Sequence, residues 1–207
     1  MKKYRDFFIL IIFTMGSQAL IYFLIKSVIN NYNTINSVID IPLVKSFVYF
    51  YDSWYPFIII CAFLIYKHNK NLFYYYIPSL LLCALFAQIT FILYPSIIVR
   101  PTIEVKNITD WILDFTYRTD TPAINCLPSV HCIYCFITGF YIMKSNINKK
   151  YLFIVYLMLI VLSTLFIHQH ILEDVLLALI YSAIGISTVY KFKLNDIINK
   201  LMTKKTP

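Results

Sequence analysis

The chain has 207 residues, of which 60% are hydrophobic, 14% are charged and three are Gly. Soluble domains average about 45–50% apolar and about 25% charged residues, so an ordinary soluble domain is excluded, and the apolar content excludes a disordered chain. Five Cys in this length exclude a disulfide scaffold, and the net charge of +8, a nucleic-acid signal in a soluble protein, is explained better by its distribution among loops.

In chain order, the basic start (Lys2, Lys3, Arg5) leads into 7–25, which holds 19 residues without a charge. That is long for a secretory leader and no small-residue cleavage site follows, so we expect a retained first crossing. Residues 30–40 are polar and form a loop. The stretch 47–66 predicts a second crossing whose embedded part begins near Trp54, because Asp52 and Pro56 weaken its start. Lys67 to Lys70 close it. Residues 72–99 carry no charge over 28 positions, more than one crossing requires, and Pro95 marks the expected end of the third. A polar segment, 100–127, precedes three further crossings at 128–143, 151–167 and 170–190, each near the lower length limit. No internal repeat is evident. The expected fold is therefore a single all-α, polytopic membrane domain over 1–207 with about six crossings.

The loops of such a chain sort into two sets by side. One set carries 13 Lys and Arg against Asp6 and Asp196; the other carries five (Lys26, Lys45, Arg100, Lys106, Arg118) against eight acids. Because basic loops stay inside, both termini are expected in the cytoplasm and the acidic set outside.

Ionisable groups at the mouths of membrane helices are costly and usually mark a site. Three pieces meet that description, all on the expected outer side: Arg100-Pro101, the run Asn125 to His131, and Ser163-Thr164 followed by His170 and Asp174. Each suits a phosphate ester. Arg100 has a forked, permanently charged donor set. Pro128 fits the first turn of a helix, where the amides near Ser129 point at an anion and His131 stands close by. His170 and Asp174 are spaced i, i+4, so the carboxylate holds one ring nitrogen protonated and leaves the other free as a nucleophile. The second histidine then protonates the leaving alcohol. His168 faces this site or caps the fifth helix. No carboxylate cluster suited to Mg²⁺ accompanies these residues, and no cofactor is expected.

Arg100-Pro101, Pro128-Ser129-x-His131 and Ser163-x6-His170-x3-Asp174 resemble the three signature motifs of the type 2 phosphatidic acid phosphatase (PAP2) superfamily, which shares its site with vanadium haloperoxidases. The resemblance spans about 94–178 and implies a haloperoxidase-like helical core. It also implies metal-independent phosphotransfer through a phosphohistidine on His170, oriented by Asp174, with His131 as general acid and Arg100 and Ser129 holding phosphate. Leu93 stands where that family usually has Lys, Thr164 where it has Arg, and Val130 where Gly is common. The stretch 125–131, with Gln169-His170, is more similar to the branch related to inositol phosphorylceramide synthases.

The expected function is a lipid phosphatase acting on a phospholipid or polyprenyl phosphate at the outer face, with the bilayer as its surroundings and no nucleic-acid partner. A phospholipid headgroup transferase using the same histidine is the alternative. A non-catalytic transporter on the same fold is a third, although transporters place polar groups near the bilayer midplane. The richness in Ile, Lys, Asn and Tyr, without an organelle signal, points to a bacterial plasma membrane.

Overall fold

A computed structural model describes residues 4–203, and their regular secondary structure is helical apart from two two-residue strands. Helix α1 spans Arg5–Val28, and a loop leads to a 3-10 turn, Lys45–Phe47. Helices α2 (Val48–Asp52) and α3 (Trp54–His68) follow almost without a break. Next come α4 (Lys70–Leu93), α5 (Ile108–Thr119), α6 (Val130–Lys144), α7 (Lys150–Phe166), α8 (Leu172–Lys191) and α9 (Asn195–Thr203). Among the described residues, four stretches are long and apolar enough to cross a membrane: α1, Lys45–His68, α4 and α8. At 15 and 17 residues, α6 and α7 are apolar but shorter than the roughly 20 residues of a straight crossing.

Local chemistry explains most boundaries. Pro56 stands in the first turn of α3, where a missing N–H costs nothing. The expected basic loop at 67–70 is reduced to Asn69, whose side chain accepts the Leu72 amide and caps α4. Asn107 caps α5 in the same way through the Asp110 amide. The third crossing ends at Leu93, two residues before Pro95, because the residues preceding a proline leave helical backbone. Two helices lay outside the expectation: α5, inside the polar segment, and α9, in the basic tail.

The packing is that of a membrane bundle. Phe8, Ile12, Phe13, Phe23, Leu93 and Tyr151 are all exposed, an apolar exterior that suits a bilayer and is rare on a water-soluble protein. The interior carries hydroxyl pairs that tie helices together: Tyr76 with Thr138 at 3.0 Å, Ser79 with Tyr141 at 2.8 Å, and Thr90 with Tyr181 at 2.8 Å. Helix α4 lies at the centre and touches α1, α3, α6, α8 and α9.

All three motif segments meet at one end. There the two-residue strands β1 (Asn33–Thr34) and β2 (Ser96–Ile97) pair in parallel, joining the segment after α1 to the one after α4. The Val44 amide donates to the Phe166 carbonyl at 2.8 Å, and Val38 donates to Glu173 Oε1 at 3.1 Å. A small second core of Val48, Leu113, Tyr117 and Ile167 seats α5 on this end, with Lys45 paired to Asp110 at 2.7 Å.

Candidate functional site

Asp174 organises the centre. Helix α8 begins at Leu172, so His170 precedes it and the pair does not share a helix face as the spacing predicts. The contact forms nonetheless, because the Asp174 carboxylate turns back over the helix N-terminus. Its Oδ2 accepts from His170 Nδ1 and from the Ile171 amide, both at 3.1 Å. Against an acceptor-only carboxylate Nδ1 is the donor, and in the neutral imidazole Nε2 then keeps its lone pair. The Asp174 carbonyl also accepts the Ser129 amide at 3.2 Å, joining the second motif to the third.

That bond changes what Ser129 does. Its amide is engaged, its hydroxyl accepts the Cys132 amide at 3.3 Å, and its side chain is buried. It is the N-cap of α6, with Pro128 just outside the helix and not in its first turn. The amides of Val130 and His131, the first two of α6, have no intrahelical partner. Ser163 is buried and donates to the Ile160 carbonyl at 2.6 Å.

The ring centroids of His131 and His170 lie 5.8 Å apart. Tyr51 and Trp54 pack against His131 at 4.8 and 4.6 Å, and Trp54 Nε1 donates to the His131 carbonyl at 3.2 Å. Both histidines and Arg100 line one cavity of about 440 Å³, walled by α1, α2, α3, α5 and the 124–131 segment.

The Arg100 guanidinium is largely buried, 5.1 Å from the Tyr117 ring, and donates to the Asp120 carboxylate at 2.5 Å and to Gln169 Oε1. Tyr22 of α1 donates to the other Asp120 oxygen at 3.1 Å. Arg100 therefore already holds an anion, supplied by the chain itself. Burial pushes the Cys126 thiol on the cavity wall upward, so it stays protonated, bonded to the Ala123 carbonyl at 3.1 Å.

Arg118 and His168 do not line this cavity. Arg118 is exposed and pairs with Asp114 at 2.8 Å. His168, in left-handed backbone at φ 51°, bonds the Ile41 carbonyl at 2.8 Å and lines a second cavity of about 410 Å³, which His170 also borders. Among the described residues, no group of three or more His, Cys, Asp or Glu is arranged to hold a metal ion. Asp120, Asn125 and Gln169 also line the wall; Asn125 opens the run Asn125 to His131 and Gln169 adjoins His170, whereas no motif marks Asp120. Comparison of the chain with protein-family models, with curated proteins and with solved structures finds no match.

Proposed function

We propose that the protein is an integral membrane lipid phosphatase of the PAP2 type, with a phosphohistidine intermediate on His170. The observation that carries the reading is the convergence of His170, His131 and Arg100 on one cavity, with the His170 Nδ1 proton held by Asp174. In the first step His170 Nε2 attacks phosphorus, the P–N bond forms, and the bond to the alkoxy oxygen breaks as His131 gives that oxygen a proton. Water then attacks phosphorus, returns a proton to His131, and breaks the P–N bond to release phosphate. The Asp120 carboxylate on Arg100 marks the anion seat, for which a phosphate oxygen competes.

The lipid, a phospholipid or polyprenyl phosphate, is approached from the bilayer, which suits a cavity bounded by α1 and α3. We place six crossings in a bacterial plasma membrane, with α6 and α7 as short ones, both termini inside and the site outside. The sequence similarity of 125–131 and Gln169-His170 to the inositol phosphorylceramide synthase branch favours a second reading, in which a lipid hydroxyl replaces water in the second step.

The test is mass spectrometry of purified protein with candidate phospholipids, with and without an acceptor lipid alcohol. Free phosphate and dephosphorylated lipid are expected, persisting in EDTA, with an acid-labile phosphoprotein that His170→Asn eliminates. Transfer of the phospho-headgroup to the acceptor selects the second reading. No product from any lipid, or a phosphoprotein surviving His170→Asn, overturns the assignment.

A further inference from the structure

Buried polar atoms almost always find hydrogen-bond partners, because an unpaired one has lost its water without replacing it. Eight buried side-chain atoms among the described residues have none, and five of them belong to residues lining the 440 Å³ cavity. They are Arg100 Nε, Asn125 Nδ2 and Oδ1, Gln169 Nε2 and the Tyr134 hydroxyl. The orientation of Gln169 is settled by chemistry. Its Oε1 accepts from Arg100, which leaves the NH₂ group as the free end. Asn125 is 5% exposed and Gln169 2%, so open solvent does not serve these groups.

Both residues are held in place by backbone. Asn125 sits in left-handed backbone at φ 57°, which Asn tolerates, and its amide donates to the Ser96 carbonyl at 2.9 Å. The Ser96 hydroxyl then accepts the next two amides, of Cys126 and Leu127, each at 3.2 Å. The Gln169 and His170 amides both donate to the Thr164 carbonyl, at 2.9 and 3.0 Å. The cavity wall thus carries unpaired N–H groups of Arg100, Asn125 and Gln169 beside the two histidines, with the Asn125 side-chain carbonyl and the Tyr134 hydroxyl also unpaired, and a ligand rich in acceptor oxygens would satisfy the N–H groups.

We propose that Asn125 and Gln169, together with Arg100 Nε, form the cradle that binds the non-bridging oxygens of a phosphoryl group in this cavity. The proposal rests on the phosphotransfer reading and adds two phosphate-binding residues to it. The same chemistry is offered by the headgroup of a lipid phosphate and by free phosphate, so both serve as probes.

The experiment measures binding of inorganic phosphate and of dioctanoylglycerol phosphate to the detergent-purified full chain by calorimetry. It compares wild type with Asn125→Asp and Gln169→Glu, which keep the shape and replace an NH₂ donor by an anionic oxygen. Each is expected to weaken both probes by about 10- to 100-fold, as for hydrogen bonds to charged groups. Asn125→Gly, which suits the left-handed backbone, and Gln169→Met, which keeps the volume, remove the donors without adding charge and are expected to weaken both probes less. Affinity is read in whichever variant at each position keeps the wild-type melting temperature.

Unchanged affinity in such a variant, with wild type binding, overturns the cradle alone. Weakening confined to the lipid probe also overturns it, since the residues then contact the alcohol portion. Failure of the wild type to bind either probe overturns the phosphotransfer reading and the cradle with it.

Discussion

Asp174 performs three tasks from one position. Its carboxylate orients His170, its second contact closes the first turn of α8 at Ile171, and its carbonyl holds the Ser129 amide at the start of α6. The two histidines differ accordingly. His170 is held by a charge through Nδ1, whereas the described contacts of the His131 ring are aromatic, with Tyr51, Trp54 and His170. On the proposed chemistry this separates their mutants. His131→Asn removes only the proton donor, and turnover of an alkyl phosphate is expected to fall by about 10²–10⁴-fold. An activated aryl phosphate barely needs that proton, so the same variant should still give a burst of phenol. Stopped-flow absorbance reads the burst directly; equal losses on both substrates with no burst would make His131 a binding group.

At the scale of elements, α4 and α8 approach closely. Gly185 of α8 faces Cys83 of α4, and a Cβ at Gly185 would lie 2.1 Å from the Cys83 Sγ. Cys83 is buried and its thiol also donates to the Tyr181 carbonyl at 3.2 Å, so it has little room to retreat. Gly185→Ala is expected to cost about 1–3 kcal/mol by overpacking. Thermal unfolding in detergent should show the loss, and adding Cys83→Ala should recover much of it; a melting temperature unchanged by Gly185→Ala would mean that the helices separate freely. Helix α5 shows a different division of labour. It buries Asp110, Leu113 and Tyr117 against the second core and exposes Ile108, Trp111 and Phe115, with the last two rings stacked at 5.8 Å. An apolar face turned outward beside the cavity suits a helix lying at headgroup level.

For the whole molecule, the hydrogen bonds that join 33–44, 96–97, 166 and 173 collect at one end the acidic loops that the charge count had grouped together. The opposite end carries the Lys70 and Asp6 pair at 2.6 Å. With the basic end inside, a cysteine at Glu104, an exposed position on the acidic end, should react with an impermeant thiol reagent in intact cells. One at Asn148, exposed in the basic turn between α6 and α7, should not. All five native cysteines are buried, so the unaltered chain serves as the unreactive control. The reverse labelling pattern would put the cavity on the cytoplasmic side.

Long apolar runs broken by Pro, Asn and basic clusters were enough to forecast the apolar helices, though not α5 or α9, because membrane insertion reads composition over about 20 residues and little else. The meeting of Arg100, His131 and His170 was forecast from motif spacing, and the structure brings these three to one cavity. What no spacing could reveal depends on contacts between distant segments. Asp120 lies 20 residues from Arg100 and Gln169 lies 69 away, yet both bind its guanidinium. Ser129 became a cap once the Asp174 carbonyl claimed its amide, and α5 became a helix where charges alone suggested a loop. The physical reason is the same in each case. Apolar periodicity and helix caps act locally and are written in neighbouring residues, whereas the partner that satisfies a buried charge or amide is chosen by whichever segment the tertiary fold brings within hydrogen-bond distance.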